Sequence, residues 1–143
     1  MYPLIFFDPI LIETPREQIY RRLGYRRGVT SMTDVQRFEV EQYISEALAL
    51  IRLRGVGLRL TTARQEDDCV ALAGGAGSEV FKSRSLARFL EGCEGALLMG
   101  ASAGSEVVTA IVGDATWDHF TRGVVFDAVA SEMVDASLDW IMS

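Results

Sequence analysis

Histidine and cysteine are nearly missing from this 143-residue chain, which holds one of the first and two of the second. Structural zinc takes four Cys or His ligands, so Cys69 and Cys93, far apart and without a partner motif, argue against a metal centre of that kind and are expected as buried thiols. Long apolar runs are missing too. None reaches the roughly 18 residues that cross a bilayer, and no membrane partner is expected. The opening "MYPLIFF" has no basic start, is broken by Pro3, Asp8 and Pro9, and shows no small-residue cleavage site, which argues against a secretory signal and for a cytoplasmic address. Internal repeats and low-complexity segments are absent.

What remains is an ordinary globular composition, 49% hydrophobic and 24% charged, at a length that suits one domain over 1–143 with one core. The net charge of −6 is unevenly spread. Arg16, Arg21, Arg22, Arg26 and Arg27 crowd the beginning, whereas from Glu106 onward seven acids face the single base Arg122. A chain so divided lacks the dominant basic surface on which generic nucleic-acid binding depends. Ordinary solvated charge is the plainer reading, and an intermolecular or interdomain contact between the two ends is the alternative.

Hydrophobic period and punctuation give the elements. Thr14-Pro15-Arg16-Glu17 reads as a capped helix start, Ile19, Tyr20 and Leu23 as its buried stripe, and Gly24 as its stop. Thr33 and Gln36 form a second capping pattern, opening a longer helix that is expected to run to about Arg54, bury Val35, Phe38, Ile44, Ala47, Leu48 and Ile51, and end at Gly55. "VGLRLTTA" and "CVALAG" then read as antiparallel strands around the polar turn Arg64–Asp68. "GGAGSE" is expected as a turn, "VFKS" as a brief strand, and "LARFLEG" as a helix capped by Ser83 or Ser85 and stopped by Gly92. "GALLMGAS" is expected as a buried strand, followed by a helix from about Ser105 to Val112 interrupted at Gly113-Asp114, and a long helix from Thr116 carrying Trp117, Phe120, Val124, Val125, Ala128, Val129, Met133 and Trp140. Segregated helices with a small antiparallel or mixed sheet predict an α+β domain with a long C-terminal helix.

Few groups suggest chemistry. The turn "LLMGASAGSE" has free amides at a helix start, but Gly100-x-x-x-Gly104 matches neither the phosphate loop nor the dinucleotide fingerprint, and a strand-to-helix corner is the better reading. His119 has no titrating partner in the sequence pattern and is expected exposed or capping near the start of the last helix. No catalytic residue is assigned. More informative are Asp127, Ser131, Asp135 and Asp139, which recur every four residues and stack into one polar row with Glu132 beside it. Carboxylates four apart repel, so such a row suits a cationic partner, an ammonium or sulfonium ligand or a basic surface; a solvated face is the plainer alternative. Trp140, Ile141 and Met142, apolar at a terminus, are expected to dock on something.

The segments "VFKSRSLARFLEGCEGALLMGASAGSEVVTAIV" and "VVFDAVASEMVDASLDW" resemble the activation domain of cobalamin-dependent methionine synthase and its stand-alone relatives, and "REQIYRRLGYRRG" resembles the helix that opens the stand-alone members. The resemblance implies a domain that binds S-adenosylmethionine and presents its methyl group to inactive cobalamin, the protein supplying orientation. It implies Asp135 as the acid that meets the ligand's amino group; with Ser131 and Glu132 of the polar row, Asp135 makes the candidate cofactor-binding set. Aspartate stands there where the family usually has glutamate. The family's Arg-x-x-x-Gly-Tyr motif is not reproduced by Arg22, Gly24 and Tyr25, so the likeness is to the first half of the domain, as in a truncated member. The expectation is therefore an accessory protein for reductive reactivation of methionine synthase or another corrinoid methyltransferase, with S-adenosylmethionine binding weakened or lost. Cobalamin would be met only through a partner protein, a corrinoid protein or methyltransferase. A homodimer or a complementing chain would cover the apolar end. The alternative is a non-catalytic interaction or dimerisation module.

Overall fold

Strand β2 (Arg54–Gln65) is the spine of a five-stranded sheet, pairing with β1 (Ile5–Phe7), β3 (Val70–Gly74) and β5 (Gly95–Ser102), while β4 (Gly77–Phe81) extends β3. The computed structural model describes residues 3–74, 77–116 and 119–143. β2 and β3 run antiparallel with Thr61 opposite Ala73 and Gln65 opposite Val70, and a bulge between Thr62 and Arg64 absorbs one extra residue. β3 and β4 form a hairpin from Val70 opposite Phe81 to Gly74 opposite Gly77. Gly95 lies beside Leu60 and Gly100 beside Val56, so β5 also runs against β2. A methyl at Gly95 would strike the Leu60 carbonyl, and one at Gly74 would stand 2.5 Å from a Leu60 methyl. Side-chain-free positions thus set how closely the strands approach.

The described chain groups into two compact units. One, Met1–Phe7 with Val56–Gly100, holds the sheet and α3 (Arg84–Phe89). Its core is Val70 and Leu72 from β3 with Ala87 and Leu90 from the α3 segment, flanked by Leu60, Leu86 and Ala96. Ser83 caps α3, its Oγ accepting from the Leu86 amide at 3.2 Å. Cys69 is buried, but Cys93 is exposed, against the expectation for both thiols. Gly92, at φ +76°, closes the turn before it and leaves it outside the core.

The second unit, Asp8–Gly55 with Ala101–Ser143, contains α1 (Arg16–Arg22), α2 (Asp34–Leu50), α4 (Ser105–Thr116) and α5 (Phe120–Met142). α5 packs on the other three helices. It buries Val125, Phe126, Ala128, Val129, Ala130 and Met133, and its small residues allow close approach. Ile19, Ile44 and Val107 meet this core with no exposed surface. An α+β architecture with a long final helix is therefore present, as the pattern predicts.

Several boundaries differ from the pattern. α1 starts one residue later than its capping signal: Pro15 stands at the N-cap without a side-chain cap, and its carbonyl accepts from Ile19 N–H at 3.0 Å. α2 does form its capping box, with Thr33 Oγ1 accepting from the Gln36 amide at 3.1 Å and Gln36 Oε1 from the Thr33 amide at 2.9 Å. It ends at Leu50, short of Arg54, because the backbone beyond finds extended partners: Arg52 N–H donates to Ala103 O and Ile10 N–H to Leu53 O, both at 2.9 Å. Val35 and Phe38 are 77% and 71% exposed rather than core. At 3.6 residues per turn, Val40, Ile44 and Ala47 fall within about 60° of one another and those two point away. β4 begins at Gly77, earlier than "VFKS", so much of the expected turn is strand; residues 75 and 76 lie outside the described residues.

α4 runs through Gly113-Asp114 without interruption. The reason is Asp114, 3% exposed. Its carboxylate accepts from Arg122 Nε at 2.9 Å and from the same guanidinium's second nitrogen, tying α4 to α5 and offsetting the roughly 1 kcal/mol that an interior glycine costs. α5 starts at Phe120 rather than Thr116, and Trp117 lies outside the described residues.

Candidate functional site

α1 ends in Arg21-Arg22, cations on the carbonyl end of a helix, where its dipole favours them. Ile19 is buried in the helical unit, and this fixes the turn of α1 that carries Arg22. Along α5, the fourfold spacing does place Asp127 and Asp135 on an exposed strip, with Ser131 and Glu132 half-buried beside them. Arg22 reaches this strip. Its Nε donates to Glu132 Oε1 at 2.8 Å, and its terminal nitrogen lies 3.6 Å from Asp135 Oδ2. The Glu132 side chain is only 15% exposed, that of Asp135 62%.

The hydrogen bond to Glu132, followed by the fields of Glu132, Asp135 and Asp127, holds the Arg22 proton more firmly than usual, against the opposing pull of burial. A cation-accepting patch is therefore present, and its partner is a guanidinium of the same chain. The division of charge between the chain's ends resolves at this point as a contact between them, not as solvated charge alone. Of the three candidate residues, Glu132 and Asp135 are brought together on Arg22. Ser131, one turn before Asp135, carries no charge to add. Sequence reasoning missed Arg22 itself; its only signal was the crowding of arginines opposite an acidic half.

Other groups are structural by their geometry. Ser137, buried on α5, donates back to Met133 O at 2.8 Å. His119 is exposed at the α5 N-cap and makes no side-chain cap, in keeping with the plainer expectation for it. The corner after β5 is a corner: Ser102 Oγ accepts from the Gly104 amide at 3.0 Å, and Gly104 takes φ +88° against the backbone of Arg52. In the β2–β3 turn, ligating atoms of Glu66, Asp68 and Cys69 lie within 4.8 Å of one another. Burial and then the bond to Glu66 push the Cys69 thiol up, and its Sγ donates to that carboxylate at 3.5 Å.

No protein-family model matches the chain, and no curated protein matches it. No helix among the described residues is long and apolar enough to cross a membrane.

Proposed function

We propose that this chain is an accessory protein in the reductive reactivation of cobalamin-dependent methionine synthase or of another corrinoid methyltransferase, with its own binding of S-adenosylmethionine weakened or lost. The order of elements from β4 to α5 supports the reading, since it agrees with the segments that carry the resemblance. The observation that carries the weakened binding is Arg22. It sits 3.6 Å from Asp135, the carboxylate to which the resemblance assigns the ligand's amino group, and is anchored at 2.8 Å on Glu132 beside it. An ammonium or sulfonium must displace a guanidinium already in place, and a site whose free form is a minor population binds proportionally less tightly. Cobalamin chemistry belongs to the partner, a corrinoid protein or methyltransferase, in the cytoplasm.

Calorimetric titration with S-adenosylmethionine tests this. Heat is expected only near millimolar ligand, and Arg22→Gln is expected to tighten binding while Arg22→Gln/Asp135→Asn abolishes the gain. Tight binding by the unaltered chain that survives Asp135→Asn would place the ligand elsewhere. A cob(II)alamin-loaded methyltransferase whose visible spectrum ignores added protein would remove the accessory role.

A second reading, a non-catalytic interaction or dimerisation module, is favoured by Val35 and Phe38, which share the outer face of α2 and are largely exposed. Sedimentation equilibrium of Val35→Ser/Phe38→Ser against the unaltered chain tests it; a concentration-dependent dimer lost in the variant is its expected result.

A further inference from the structure

Between α1, the segment after it and the start of α2 lies a cavity of about 870 Å³, within the helical unit. Arg21, Arg26, Arg27 and Arg37 line it together with Tyr20 and Tyr25. The one carboxylate in the wall, Glu17, is already matched to Arg21 at 3.5 Å. Among the described residues, Arg26, Arg27 and Arg37 form no ion pair with a carboxylate. Four guanidinium groups against one acid, in a chain whose net charge is −6, is a local reversal of sign.

The wall is built, not loose. Thr30 Oγ1 accepts from the Arg26 amide at 3.1 Å, the Thr30 amide donates to Arg26 O at 2.9 Å, and Gly28 at φ +78° closes the turn that presents Arg26 and Arg27. The Tyr20 hydroxyl donates to Glu41 at 2.7 Å; burial, and then this bond, push its pKa up to about 12 and leave it a neutral, fixed ring. Tyr25 meets that ring edge-on at 6.0 Å, and the Arg37 guanidinium sits 6.0 Å from its centroid.

We propose that this cavity binds a small ligand combining phosphoryl groups with a flat ring, the chemistry of a nucleoside diphosphate. Planar guanidinium forks match phosphoryl oxygens two at a time. Held aromatic rings and arginine planes are surfaces on which a base stacks without ordering cost. The volume lies in the roughly 300–1,000 Å³ range of small-molecule sites, so an inorganic anion would leave most of it empty. This assignment is independent of the acidic strip on α5 and of the reading built on it.

The test is calorimetry on the full chain with ADP, pyrophosphate and adenosine as separate probes. ADP is expected to bind about tenfold or more tightly than pyrophosphate, with adenosine weaker than either, and Arg26→Gln/Arg27→Gln is expected to weaken ADP by about tenfold or more. Arg37→Gln gives a second reading at a different wall, and Tyr25→Ala is expected to bring ADP down to the level of pyrophosphate while Tyr25→Phe preserves it. Arg84→Gln/Arg88→Gln, which removes the same charge outside the cavity, is expected to leave ADP binding unchanged. Equal affinity for ADP and pyrophosphate would reduce the site to a plain anion patch and overturn the proposal. So would an equal loss in the Arg84/Arg88 variant, or no ADP heat at millimolar concentration.

Discussion

Asp114 and Arg122 show how one pair of side chains decides where a helix ends. A glycine followed by an aspartate reads as a break, yet the aspartate is a buried anion whose cation comes from α5 eight residues on. The hydrogen bond from Arg122 holds the Asp114 carboxyl below its ordinary value. The folded chain therefore binds this proton less readily than the unfolded one. The pair contributes stability above the ordinary aspartate value of about 3.9 and loses it as the pH falls through the depressed value. Asp114→Asn is expected to lower the urea midpoint at neutral pH and to flatten the acid limb of a midpoint-against-pH curve, the two proteins converging in strong acid; parallel acid limbs would show that Asp114 does not titrate with folding. Arg22 behaves differently. Its pair with Glu132 leaves 43% of the arginine side chain exposed, so Arg22→Gln should cost under about 1 kcal/mol while freeing two carboxylates. The acidic row was legible because four residues is nearly one helical turn. Its occupant was not, because nothing in a linear sequence brings residue 22 to residue 132.

At the scale of elements, starts were read better than ends. A capping box is a local device: Thr33 and Gln36 satisfy each other's backbone donors within three residues, so the pattern alone locates the start of α2. Thr33→Ala is expected to destabilise by about 1 kcal/mol in urea titration; no change would mean that α2 is held by its packing alone. β5 has the bounds its sequence predicts, Gly95–Ser102, since its run of apolar and small residues is bracketed by turn residues, but it is not the buried strand expected: Leu97 and Leu98 are 41% and 57% exposed. The end of α2 depends instead on Ala103, a residue some fifty positions away that takes the Arg52 amide into an extended pairing. Gly104 serves the same junction at φ +88°, with a methyl there lying 3.4 Å from Arg52 O. Gly104→Ala is expected to cost about 1–2 kcal/mol from left-handed backbone strain, read as a lowered urea midpoint.

For the whole molecule, the pattern of segregated helices and strands pointed to an α+β chain, and the observed elements agree. Each compact unit holds its own buried set, Ile44 with Val129 in the helical one and Val70 with Leu72 in the other. Ile44→Ala removes a fully buried side chain and is expected to cost about 2–5 kcal/mol, seen as faster amide exchange along α2 and α5. Protection unchanged along both helices would mean that Ile44 is not central to that core. The functional reading rests on a resemblance carried by packing motifs, which specify how elements pack more strongly than what they bind. The arginine-lined cavity escaped sequence reading because α1, the turn after it and α2 must fold together before the charges share a wall. The two thiols, finally, differ in a way that can be put to use: Cys93 is open to water, while Cys69 is enclosed and keeps its proton. A maleimide dye offered to the native protein should take one sulfur and spare the other, tagging the link between α3 and β5 with no engineered cysteine. Uptake of a second dye would then act as a clock for the opening of the β2–β3 turn.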